Sequence, residues 1–283
     1  MSRVAELRAK AREYAERGRV MRAEHESVDI AYVLADRDSE IGGGLISGAL
    51  AYRIFIWLLP FVLVLVGGIG VAASASESPD ATARALGLTG VVARSVADAS
   101  RGSNRWYALL IGIPLLLWAS RSLLKALIVA ERIVWGDLRR TVPKPTVANT
   151  LKFLVFLVGY FAITELARWL GIWTGSTFVR IAVSALLLTG WWLLVSTQLP
   201  HGGADWVGLL PGAIVVGVGI VLVADLGVYF LLPRVESSQS TYGALGLAAG
   251  LLFGLFIVSR VVVGAAVLNA TLWERRSTSK QAP

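Results

Sequence analysis

The stretch 48-GALAYRIFIWLLPFVLVLVGG-68 decides the fold. Apart from Arg53 it carries no charge, and nearly every position is apolar or glycine. About 20 mostly apolar residues, rising about 1.5 Å each, cross the hydrocarbon core of a bilayer as a helix. A helix is the form such a run must take there, because only internal pairing satisfies its backbone in lipid. An arginine within the run costs at least about 2.5–3.5 kcal/mol on insertion scales. Arg53 therefore needs water, a counter-charge or a bound anion.

The rest of the chain has the same character. Of its 283 residues, 55% are hydrophobic, and the mean hydropathy is +0.66. A soluble chain of this length needs more polar surface. Ten Trp and 29 Gly suit membrane helices, where indoles sit at interfaces and small residues let helices approach closely. The net charge of +8 then reads as orientation, since Lys and Arg collect on the cytoplasmic side. With no Cys there is no disulfide, thiolate metal site or cysteine nucleophile. Residues 1–40 are polar and charged, without the apolar core of a signal peptide.

Six apolar runs are long enough to span, at about 41–73, 106–134, 147–170, 178–199, 206–232 and 242–273. The fold expected is all-α, a polytopic membrane protein in which the longer spans tilt or extend into water. Residues 1–40 form an amphipathic surface helix, 74–104 an extracytoplasmic loop with helices of its own, and 274–283 a tail. Lys and Arg crowd residues 3–37, the loop around Arg139, Arg140 and Lys144, and the tail. Both termini are thus expected in the cytoplasm, with the chain in the inner membrane. Pro60, Pro114 and Pro211 interrupt the backbone bonds of their spans and bend them. Gly246, Gly250 and Gly254 recur every four residues and offer a smooth face for a close or sliding helix contact.

Charge inside the spans carries the functional reading. Arg121 and Lys125 lie one helical turn apart, and Arg260 lies past the middle of the last span. With Arg53 they fall between mid-membrane and the cytoplasmic boundary, counting about 1.5 Å per residue. Such cations repel one another in a low dielectric. They either snorkel to headgroups or line a wet cavity that receives an anion, the second being expected for Arg53 and Arg260. Trp57, one turn after Arg53, is placed to add a cation–π contact. Glu165 and Asp225 lie nearer the outside, either as structural ion-pair partners or as proton-coupling carboxylates.

Catalysis has no support. The two histidines, His25 and His201, are far apart, and no zinc-protease, nucleophile-elbow or phosphate-loop pattern occurs. No cofactor is implied. Nucleic-acid binding needs exposed aromatics among basic residues, whereas here the aromatics sit inside spans.

Four elements, 49-ALAYRIFIWLLPF-61, 210-LPGA-213, 242-YGALG-246 and 268-LNA-270, resemble the YihY/virulence factor BrkB family of bacterial inner-membrane proteins, over about residues 30–272. The resemblance implies six spans, cytoplasmic termini and a connection with envelope integrity, serum resistance and export of anionic lipids. It also implies that the old label ribonuclease BN does not apply. The chain departs from the family in two places. Val267 stands where members usually carry an acid, and Arg53 where they commonly carry an uncharged or aromatic residue.

Together these features point to translocation of an anionic amphiphile, a phospholipid or lipid-linked phosphate, with its headgroup on Arg53, Arg121, Lys125 and Arg260. Arginine suits phosphate because its fork binds two oxygens at once. Two other readings compete. A small-anion channel requires a continuous polar lining, and a non-transporting envelope scaffold requires the N-terminal helix rather than the cations. The partners expected are membrane lipids.

Overall fold

The computed structural model describes residues 26–74, 104–137, 145–226 and 244–281. Outside them lie the first part of the expected surface helix, most of the outer loop, the end of the fifth span and the Tyr242–Gly243 head of the YGALG element. Seven α-helices make up the described residues: α1 (Glu26–Glu40), α2 (Gly43–Ser74), α3 (Asn104–Val134), α4 (Val147–Thr174), α5 (Thr177–Ser196), α6 (Trp206–Leu226) and α7 (Ala244–Gln281). Six of them, α2 to α7, are long and apolar enough to cross a membrane. The protein is a polytopic helical membrane protein. α7 runs on to Gln281, so the residues expected as a tail largely continue the helix.

Local chemistry starts the later helices. Thr146 accepts from the Asn149 N–H ahead of α4, Ser176 from Val179 ahead of α5, and Asp205 from Gly208 ahead of α6. Such side chains satisfy amide groups that a helix start leaves orphaned. α2, α3 and α6 each continue through their proline. Each proline removes one backbone donor, which leaves the carbonyls of Ile56, Leu110 and Val207 without their usual partners.

Packing follows chain order and closes on itself. α2 packs on α3, α3 on α4, α4 on α5, α5 on α6, α6 on α7, and α7 returns to α2. α3 also reaches α7, and α1 lies across α7 and α2. Aromatic side chains fill part of the ring: Phe61 of α2 stacks on Trp57 at 4.7 Å and on Phe161 of α4 at 5.0 Å. Glycine sets the closest approaches. A Cβ on Gly217 of α6 would stand 2.8 Å from the Ala185 carbonyl oxygen of α5, and one on Gly212 would stand 2.5 Å from the Ala265 oxygen of α7. Gly246, Gly250 and Gly254 lie half-buried along the first part of α7.

The helix ends sort into two groups. Arg37 of α1 bonds both Glu274 of α7 and the carbonyl of Val134, the last residue of α3. The start of α6 joins α7 through Asn269. These contacts gather α1, the beginnings of α2 and α6, and the ends of α3 and α7 at one end of the bundle. At the other end Arg180, early in α5, pairs with Asp225, late in α6.

Candidate functional site

A groove of about 510 Å³ runs along the seam of α2 and α3. Ile46, Ala49 and Arg53 of α2 face Ser122, Val129 and Ile133 of α3, at helical spacings that put each set on one stripe. Lys125 stands on the rim. The Arg53 guanidinium donates to the Ser122 hydroxyl, which fixes its direction across the seam. Arg53 lies ten residues into α2 and Lys125 nine residues before the end of α3. Both therefore sit at a similar height, about 15 Å from the α1 end.

The groove opens sideways. Leu110, Pro114, Trp118, Arg121 and Lys125 form one exposed stripe of α3, with Leu110 72% and Trp118 65% accessible. On α2, Leu45 is 83% accessible on the same flank, while Leu50, Trp57 and Phe61 turn inward. Large apolar side chains exposed in this way face lipid. Arg53, Arg121 and Lys125 thus lie on the outer surface of the bundle and not in a closed interior.

This corrects the expectation of one internal cavity lined by Arg53, Arg121, Lys125 and Arg260. Arg260 does not line the groove and is held by a counter-ion of its own. Its Nη1 donates to Asp38 Oδ1 at 3.1 Å and its Nη2 to Oδ2 at 2.9 Å. Asp38 rests against Gly43 at the start of α2, where a Cβ would collide with its carboxylate. A carboxylate there meets the positive end of the helix dipole as well as the guanidinium. Pairing one cation and leaving three on the surface avoids the repulsion a shared dry hollow would create.

Trp57 is also corrected. It is 3% exposed, stacks on Phe61 and donates its indole N–H to the buried Ser120 hydroxyl at 2.8 Å. A buried indole N–H needs an acceptor, and Arg53 has turned to Ser122 instead. Asp225 is an ion-pair partner of Arg180, at 3.2 Å. Glu165 lies exposed on α4 and lines neither this groove nor the hollow beneath α1 described below. Pro60 is buried, Pro114 is exposed, and Pro211 is half-buried beside α7.

Two residues escaped sequence reasoning. Asn269 accepts from the Gly212 N–H at 2.7 Å and donates to the Leu209 carbonyl at 3.1 Å. It clips α7 onto the backbone that flanks Pro211, so LPGA and LNA are two halves of one contact. The available signal was a lone amide in an apolar run, paired with a Pro-Gly break in another. Glu131 is the second: it is 8% exposed, with Oε2 accepting from the Trp135 indole at 3.2 Å. Trp135 in turn lies against Gly202, whose φ of +57° suits glycine in the turn before α6.

No curated protein and no solved structure matches the chain. Residues 35–283, well over half of it, match the sequence profile of the family described as virulence factor BrkB. That span takes in Arg37, Asp38, the α2–α3 groove and the Asn269 clip, and the protein belongs to the virulence factor BrkB family.

Proposed function

We propose that this protein binds an anionic amphiphile, a phospholipid or lipid-linked phosphate, and moves it across the cytoplasmic membrane. The observation that carries the proposal is the sideways-open groove in which Arg53 and Lys125 overlie apolar walls. A phosphate headgroup would meet Arg53, Lys125 and the Ser122 hydroxyl, while an acyl chain lies along Leu45, Ala49 and Val129. The asymmetry of Lys and Arg supports a cytoplasmic α1 end, so the amphiphile would be taken from the inner leaflet.

Farther out the same seam is closed. A Cβ on Gly112 of α3 would stand 2.8 Å from Val64 of α2, and one on Gly67 would stand 3.2 Å from Ala108. A headgroup travelling outward must part α2 from α3 there. The passage is therefore a motion of the seam, which suits a carrier better than an open small-anion channel.

The test is lipid retention and movement by the purified protein. Native mass spectrometry is expected to recover anionic lipids preferentially from mixed bilayers. Arg53→Ala with Lys125→Ala is expected to abolish that preference and slow movement of a fluorescent anionic lipid in proteoliposomes. Equal recovery of zwitterionic and anionic lipid by the unsubstituted protein would overturn the proposal.

A further inference from the structure

A second hollow, of about 460 Å³, lies under α1 at the same end of the bundle. Val33, Asp36, Arg37 and Glu40 of α1 form its roof, with Val134 of α3 and Glu274 of α7 below. Ile133 belongs to the wall of this hollow and of the α2–α3 groove alike. The two spaces therefore share a wall, and α1 roofs the hollow that adjoins the groove.

α1 is fastened at several points. Arg37 forks Glu274 at 2.6 and 2.7 Å and donates to the Val134 carbonyl at 2.9 Å. Arg275 of α7 reaches Asp29 at 2.5 Å, and Arg260 forks Asp38. The Arg37 side chain is 18% exposed and that of Glu274 55%, so the fork is reached by water and salt from its glutamate side. We propose that α1 is a strap that closes the water-side mouth of the α2–α3 groove, with the Arg37–Glu274 fork as its catch.

The chemistry fits a catch that anions work. While the fork is made, Arg37 and Glu274 neutralise each other and the hollow shows Asp36 and Glu40, which repel an approaching anion. When the fork opens, Arg37 becomes a free guanidinium, the side chain best shaped to hold a phosphate. A headgroup that displaces Glu274 would then be led past Ile133 toward Lys125 and Arg53. This last step rests on the function proposed above, whereas closure by α1 does not.

The chain has no cysteine, so a single introduced one is labelled without background. Ile133→Cys reports the mouth, and Ser277→Cys, on the exposed end of α7, is the open reference. With a water-soluble maleimide, Ile133→Cys is expected to label much more slowly than Ser277→Cys. Adding Arg37→Ala or Glu274→Gln is expected to speed it about three- to five-fold, the loss of one half-exposed ion pair. The swap Arg37→Glu with Glu274→Arg is expected to slow it again, and raised salt to speed it in the chain with the native fork.

Equal labelling with and without the fork would overturn the strap, as would native labelling as fast as the reference. If Arg37→Ala fails to fold, Glu274→Gln and the salt series give the same readout. Arg53→Ala separates the two proposals. It is expected to leave Ile133→Cys labelling unchanged while lowering retention of anionic lipid.

Discussion

Asn269 shows what one polar side chain contributes inside an apolar interface. It meets a donor on Gly212 and an acceptor on Leu209, both on the backbone around Pro211. Asn269→Leu keeps the volume similar but leaves both groups unpaired. Interhelical hydrogen bonds in membranes contribute about 0.6–2 kcal/mol, so a loss of that size is expected in thermal or denaturant unfolding in detergent. Native stability of Asn269→Leu would show that the clip contributes nothing. Trp57 and Ser120 form a second such contact. A double-mutant cycle with Trp57→Phe and Ser120→Ala is expected to give a coupling of about 1 kcal/mol, and strictly additive losses would count against it.

At the scale of helices, glycines divide into those that hold a neighbour close and those that do not. On Gly217 a Cβ would meet the backbone of α5, which cannot give way, whereas on Gly264 it would meet nothing within 4 Å. Gly217→Val is therefore expected to cost at least about 2 kcal/mol or to prevent folding, as overpacking against fixed backbone does. Gly264→Ala is expected to be neutral or to stabilise by up to about 1 kcal/mol through helix propensity, and the same unfolding measurement decides both. The runs 48–68 and 206–226 announce helices, because nothing else satisfies their backbone in lipid. They do not announce which side of each helix faces a neighbour. Lipid-facing and core-facing positions are both apolar here: Leu59 is 58% exposed, whereas Leu50 is 3%. A helix apolar all round loses the periodicity that would orient it. For that reason the direction of Arg53, the turning of Trp57 to Ser120 and the pairing of Arg260 with Asp38 were not legible. Each depends on where a second helix lies, and nothing in the residues of α1 announces that Asp38 comes near Arg260.

For the molecule as a whole, the remaining question is which end faces the cytoplasm. The geometry already ties α1 to the end of α7, since Arg37 holds Glu274 and Arg275 holds Asp29. Residues near the end of α1 and near the end of α7 must therefore face the same compartment, whichever it is. The opposite end carries the Arg180–Asp225 pair, which balances its own charge and leaves no excess of cations among those two residues. The basic excess of residues 3–22 precedes α1 in the chain, so the rule that retains Lys and Arg inside predicts a cytoplasmic location for that end. Single cysteines decide it: Ser39→Cys near the end of α1, Ser277→Cys in α7 and Thr177→Cys at the start of α5 are all exposed positions. A membrane-impermeant maleimide applied to intact spheroplasts is expected to label Thr177→Cys alone, with the other two labelled only after lysis. Labelling of Ser39→Cys and Ser277→Cys from outside would invert the orientation and move the groove to the outer leaflet. Labelling of one of that pair without the other would contradict the bundle itself, because the Arg37–Glu274 fork cannot form across a bilayer.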